Sequence, residues 1–201
     1  MRSRGYQVHW KSFLTGLGAV IGVAVLGGLG FVYSGAYDIG ADSPHWGVTK
    51  NLISTLRERS VENRASDIVV PDLKDPARVL RGAGHYSEMC TGCHLSPAQR
   101  DSEMRPGLYP QPPKLSDISV DPKEAFWTIK HGIKMSGMPA WGTTHDDGAI
   151  WDMVAFIHQL PGMSAAQYKK IVAAAPADDD AEADHSSHDH DHDHGPDTSP
   201  E

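Results

Sequence analysis

Cysteine is scarce: the chain has two in 201 residues, Cys90 and Cys93. A disulfide framework needs more of them at wider spacings, so this pair serves one local purpose. Apolar–polar alternation never persists over the length of a strand, which leaves an all-α reading. No nucleophile–base pair and no phosphate-binding loop stands out, so no enzymatic activity is read. Basic residues are outnumbered, 18 Lys and Arg against 26 Asp and Glu, for a formal net charge of −8. They form no patch or stripe of the kind that binds nucleic acid. Between Ala177 and Glu201 there is no Lys or Arg at all, but ten of the acidic residues lie there, so the other 176 residues carry a balance of +2.

Residues 13–33, FLTGLGAVIGVAVLGGLGFVY, form one uncharged run of 21 residues, the length a helix needs to cross a bilayer core. Arg2, Arg4 and Lys11 precede it; Asp38 and Asp42 follow. The positive-inside rule then predicts a cytoplasmic segment over 1–12, a single transmembrane anchor over 13–33 and export of the remainder. For a bacterial chain this means the inner membrane, with the folded domain in the periplasm. The alternative is a cleaved signal: Ser34-Gly35-Ala36 resembles a small-residue cleavage site, and cleavage near Ala36 would leave a soluble periplasmic protein. The length of the apolar run favours the anchor. Gly18 and Gly22 make a GxxxG match, which Gly-rich composition explains as well as helix packing does.

Residues 34–75 read as a connector. Ser43-Pro44 has the form of a helix start, and Val48, Leu52 and Leu56 follow at helical spacing, which predicts a short amphipathic helix over 44–62. It would lie on the membrane or on the domain, with His45 and Trp46 at headgroup level. Residues 76–176 form the domain. Helices are expected over Ala77–Met89, Pro122–Lys130 (Asp121 as cap), His145–Leu160 and Ser164–Ala174, with a Pro-rich loop over 95–121. So small a set of helices makes a thin core, which a large apolar cofactor would complete. Residues 177–201 lack an apolar face and are expected to be disordered.

Cys90-Thr91-Gly92-Cys93-His94 matches C-x-x-C-H, the signature of covalent haem attachment. Two thiols three positions apart on a helical turn reach the two vinyl groups of one porphyrin, and the imidazole of the next residue then lies beneath the iron. A thioredoxin-like dithiol should sit beside a βαβ pattern, which is not visible. A zinc site needs further ligands at matching spacing, and no second Cys pair exists.

From this motif outward, residues 76–162 resemble the small single-haem cytochromes c, an all-α fold of short helices and long loops around one covalent haem. Tyr86 and Gly82 stand where that family has an aromatic and a glycine before the first cysteine. The resemblance implies that Gly82 permits close contact with a closing helix, Ala149–Leu160, whose aromatic is Phe156. It implies that Met138, between Gly137 and Pro139, is the second axial ligand. Met135 is the competitor, and His131 or His145 would give a bis-His site. Pro112-Pro113-Lys114-Leu115 resembles the family's Gly-Pro-x-Leu segment, with Pro112 in place of the glycine; the match puts the acceptor for the His94 ring on the carbonyl of Pro113. Tyr109, Leu115, Trp127, Ile133 and Trp141 are candidates for the haem walls. His158 needs no ligand role.

In the tail, His185, His188, His190, His192 and His194 alternate with acidic residues, a composition able to hold Cu, Ni or Zn. The leading functional expectation is a one-electron carrier between membrane or periplasmic redox enzymes, from a dehydrogenase donor to an oxidase or reductase acceptor. The alternatives are an electron-transfer subunit of a multi-subunit oxidoreductase, a metal-handling protein that uses the tail, and a gas-binding haem with a weak sixth ligand.

Overall fold

The computed structural model describes residues 10–176, all-helical with no strand among them. The five tail histidines, with Arg2 and Arg4, lie outside the described residues. The chain divides into two compact units, one ending at Leu52 and the other beginning at Ile53.

In the first unit, α1 runs from Trp10 to Ser34 over 25 residues and buries none of them. At 1.5 Å per residue it is about 37 Å long, enough to cross a bilayer. It is a candidate transmembrane span. Beyond it the chain folds back: Phe31, Tyr37 and Trp46 cluster, with ring centroids 5.8 Å (Phe31–Trp46) and 5.0 Å (Tyr37–Trp46) apart. The Tyr37 hydroxyl and His45 Nδ1 lie 2.9 Å apart. These contacts hold residues 44–46 outside the next helix. Thus α2 covers Gly47–Ala65, starting and ending three residues later than the expected 44–62, and Ser43-Pro44 does not start it.

The second unit continues α2 and adds α3 (Pro76–His85), α4 (Thr91–His94), α5 (Pro122–His131), α6 (Asp147–Gln159) and α7 (Ala165–Ala174). Side-chain caps set most of the starts. Asp75 accepts from the Ala77 N–H (3.0 Å) and Asp121 from those of Lys123 and Glu124 (2.9 and 3.2 Å), each with proline in the first helical position. Ser164 and Gln167 cap each other's backbone in a capping box. Asp146 caps α6 by accepting from Ala149 at 2.8 Å. The helix therefore begins at Asp147, two residues after the expected His145, whose own N–H donates to the Trp141 carbonyl at 2.9 Å.

The core lies where α6 crosses α3, with α7 beside them. Tyr86, Ile150, Met153 and Phe156 are wholly buried. Tyr86 and Phe156 pack at 5.4 Å between ring centroids, and Tyr168 of α7 at 6.4 Å from Tyr86. The crossing is close because Gly82 has no side chain: a Cβ there would overlap the Asp152 carbonyl oxygen and come within 2.9 Å of the Phe156 Cβ. Alongside, the buried Asp152 carboxylate takes Arg78 at 2.8 Å and Arg81 at 2.5 Å. That contact raises the Arg81 guanidinium above its ordinary value. Phe126 of α5 stacks on Trp151 of α6 at 4.2 Å.

Candidate functional site

The helical run expected over Ala77–Met89 is not regular. It ends as α at His85, passes through one π-type turn at Tyr86–Cys90 and resumes as α4. Two hydroxyls bond into the ladder there, Ser87 Oγ to the Gly84 carbonyl and Thr91 Oγ1 to the Ser87 carbonyl, each at 2.9 Å. Wide turns of this kind recur at functional sites. Here the turn delivers Cys90, and α4 delivers Cys93 and His94.

The exit from the motif is pinned. Leu95 is wholly buried and takes φ of 63°, a conformation that costs a side-chain-bearing residue about 1–3 kcal/mol. The Tyr86 hydroxyl donates to the Leu95 carbonyl at 2.7 Å and offsets part of that cost. Burial pushes the Tyr86 phenol far above its ordinary value. Ser102 Oγ donates to the Gly92 carbonyl at 2.5 Å, tying the Pro-rich loop to α4.

His94 Nδ1 lies 2.8 Å from the Pro113 carbonyl. A carbonyl only accepts, so Nδ1 carries the proton and Nε2 presents its lone pair. Burial lowers the His94 pKa; the Pro113 contact opposes this, and the Arg105 charge adds to the lowering. A neutral imidazole with a fixed tautomer is the form that ligates metal. Burial, reinforced by the neighbouring Cys93, pushes the Cys90 thiol up to about 12. A catalytic dithiol or a thiolate ligand shows the opposite shift.

Facing these residues is the 133–141 loop. Gly132 ends α5 with φ of 64°, and a Cβ there would come within 2.8 Å of the Met138 carbonyl oxygen and of the Ala140 nitrogen. Only glycine lets the loop return so close to the helix end. The Ile133 N–H then donates to the Met138 carbonyl at 3.1 Å, and the Met138 N–H to Ser136 Oγ at 3.2 Å. Met138 points inward. Met135, three residues before it, is 98% exposed.

Between the two walls is a cavity of about 700 Å³ lined by Cys90, Cys93 and His94 on one side and by Ile133, Met138 and Trp141 on the other. Pro112 and Pro113 also line it. Of the other wall candidates, Leu115 packs in the hydrophobic core instead. Trp127 packs on His131 at 4.8 Å, and Tyr109 precedes the cavity-lining Pro110 through a cis peptide bond. His145 lies between Trp141 (5.6 Å) and His85 (5.8 Å); neither it nor His131 lines the cavity. His158 is exposed on α6. Sequence reasoning missed Met89, Thr128 and four residues of α2 (Arg57, Glu58, Val61, Glu62). The only signal for the last group is the i, i+4 spacing of Arg57, Val61 and Ala65.

An all-helical unit with a C-x-x-C-H turn facing a methionine loop across one cavity defines a class: a c-type cytochrome domain, whose business is haem-based electron transfer. Residues 77–157 match the family model described as cytochrome c oxidase, cbb3-type, subunit III; the match covers less than half of the chain. No curated protein and no solved structure matches.

The family implies haem c, and the residues present fit it. The cavity falls in the size range of small-molecule and cofactor sites. Its lining is largely apolar, with two free thiols beside a histidine whose tautomer leaves Nε2 available, and a thioether opposite. Among the described residues no group of three or more His, Cys, Asp or Glu side chains is placed to hold a metal ion by itself.

Proposed function

We propose that this chain is a membrane-tethered one-electron carrier. Cys90 and Cys93 hold one haem through thioethers, and His94 and Met138 are the axial ligands of its iron. The observation that carries the reading is the opposition of the Cys90–His94 turn and Met138 across one cavity while Met135 faces solvent. Iron held from both sides has no open coordination position, which suits electron transfer better than gas binding or catalysis. Within the site, the Pro113 carbonyl orients His94 and raises its basicity. Ser136 and Gly132 fix the loop that presents Met138, and Trp141 and Ile133 exclude water. A thioether ligand makes the reduction potential higher than bis-His ligation would. With α1 as an uncleaved anchor, the domain is confined near the bilayer and meets membrane or periplasmic redox partners at raised effective concentration.

The description of the matched family model favours a second reading, an electron-transfer subunit within a larger oxidase or reductase. Co-migration of the haem with other polypeptides after mild detergent extraction supports that reading; migration alone supports the free carrier.

The test of the core reading is direct. The full chain, expressed in cells able to mature c-type haem, is denatured and examined for pigment that stays on the polypeptide. Pigment is expected on the wild type, and none on Cys90→Ser/Cys93→Ser. A colourless wild-type chain from such cells overturns the reading.

A further inference from the structure

The cavity is not built by the cytochrome domain alone. α2, outside the 77–157 match, contributes Arg57 and Val61 to its wall, one helical turn apart. Ala65 continues that face a further turn on. Val61 and Ala65 are 8% and 2% exposed, although the surrounding sequence is strongly polar. The end of the helix is fastened where Lys123 Nζ donates to the Ser66 carbonyl at 2.8 Å. Arg57 follows the same face: its side chain is 35% exposed, against 67% for the neighbouring Glu58.

Charge makes Arg57 distinctive. Among the described residues that line the cavity it is the one Lys or Arg, in company with Glu58, Glu62 and Glu124. Another cation close to the site, Arg105, whose charge acts on His94, is committed elsewhere: Nε and Nη2 donate to the Pro112 carbonyl at 3.3 and 3.2 Å, and Nη1 pairs with Asp101 at 3.8 Å. The Arg57–Glu58 pair at 3.3 Å joins adjacent, partly solvated side chains, an arrangement of little energetic weight. A haem brings two carboxylates to its site, and a guanidinium is the side chain best suited to pair with them.

We propose that α2 is a structural part of the haem site and that Arg57 is its positioning cation, pairing with the haem carboxylates from outside the cytochrome domain. The inference rests on the haem reading above and extends it to a helix that reading does not need. The oxidised haem carries one more positive charge than the reduced form. Removing a neighbouring cation therefore favours oxidation and lowers the reduction potential.

The test is a redox titration of the full-length, haem-loaded protein in detergent, comparing Arg57→Ala, Arg57→Lys and Arg64→Ala. Arg64 removes the same charge from the exposed side of the same helix. Arg57→Ala is expected to lower the reduction equilibrium constant about fivefold or more, as befits one charge acting through a medium that screens less than bulk water. Arg57→Lys should keep most of the wild-type value, and Arg64→Ala should match wild type once salt is raised to screen exposed charges. Equal potentials for Arg57→Ala and Arg64→Ala in protein that retains its pigment overturn the role of Arg57 and leave the haem reading standing. Loss of pigment from denatured wild type removes both.

Discussion

Met135 and Met138 are three residues apart and chemically identical, and their surroundings separate them. Met138 lines the cavity and is held by backbone contacts to Ser136 and Ile133, whereas Met135 is 98% exposed with φ of 59°. Met138→Ala should therefore leave the haem attached and open one iron position, so that the reduced protein binds CO readily and its spectrum turns high-spin. Met135→Ala should bind no more CO than wild type. The reverse pattern in a CO titration would move the ligand to Met135. At this scale the sequence is legible where spacing is distinctive: the two cysteines, the adjacent histidine and the methionine before a proline, expected to share one site, all line one cavity. It was silent on Leu95, because a buried leucine at positive φ carries no compositional mark. Leu115, expected at the haem wall, packs in the hydrophobic core, and an apolar residue near a motif reads the same in sequence whether it faces a cofactor or the core.

Among elements, the α3–α6 crossing bears most of the packing, and it turns on one missing side chain. A methyl at Gly82 meets the Asp152 backbone, which cannot rotate away, so the helices must separate. Gly82→Ala is expected to cost about 3 kcal/mol, the upper end for overpacking a tight contact. Thermal unfolding should then fall by roughly 10 °C or more. An unchanged melting temperature would mean that the helices cross farther apart than described. Helix starts were legible where a capping side chain precedes a proline, as at Asp75-Pro76 and Asp121-Pro122, or joins a capping box, as at Ser164. They were misread where tertiary contacts override the local signal. Ser43-Pro44 has the form of a cap, but the Phe31–Tyr37–Trp46 cluster delays α2 to Gly47. The π-type turn at Tyr86–Cys90 depends on two side-chain hydroxyls bonding into the ladder, which periodicity does not register.

Across the whole second unit, two regions differ in what holds them. The α3–α6–α7 core closes on its own side chains, with Tyr86, Ile150, Met153 and Phe156 wholly buried. The cavity side, comprising the end of α2, the Pro-rich loop and residues 133–141, encloses about 700 Å³ that the chain's own atoms do not fill. A bound cofactor contributes its contact energy to this side alone, and anything that binds only the folded form raises stability. The Cys90→Ser/Cys93→Ser protein, lacking covalent haem, should therefore melt at least about 10 °C lower, the shift that 2–3 kcal/mol produces in a domain of this size. It should lose protection unevenly. In hydrogen exchange, the amides of α3 and α6 are expected to stay slow, because their ladder is shielded by the core. Those at 105–115 and 133–141, including the Ile133 amide bonded to the Met138 carbonyl, should exchange quickly. Uniform loss across the unit would mean that the cofactor nucleates the core as well as the cavity. Uniform retention would mean that the cavity walls stand without it, leaving the haem no structural part in this fold.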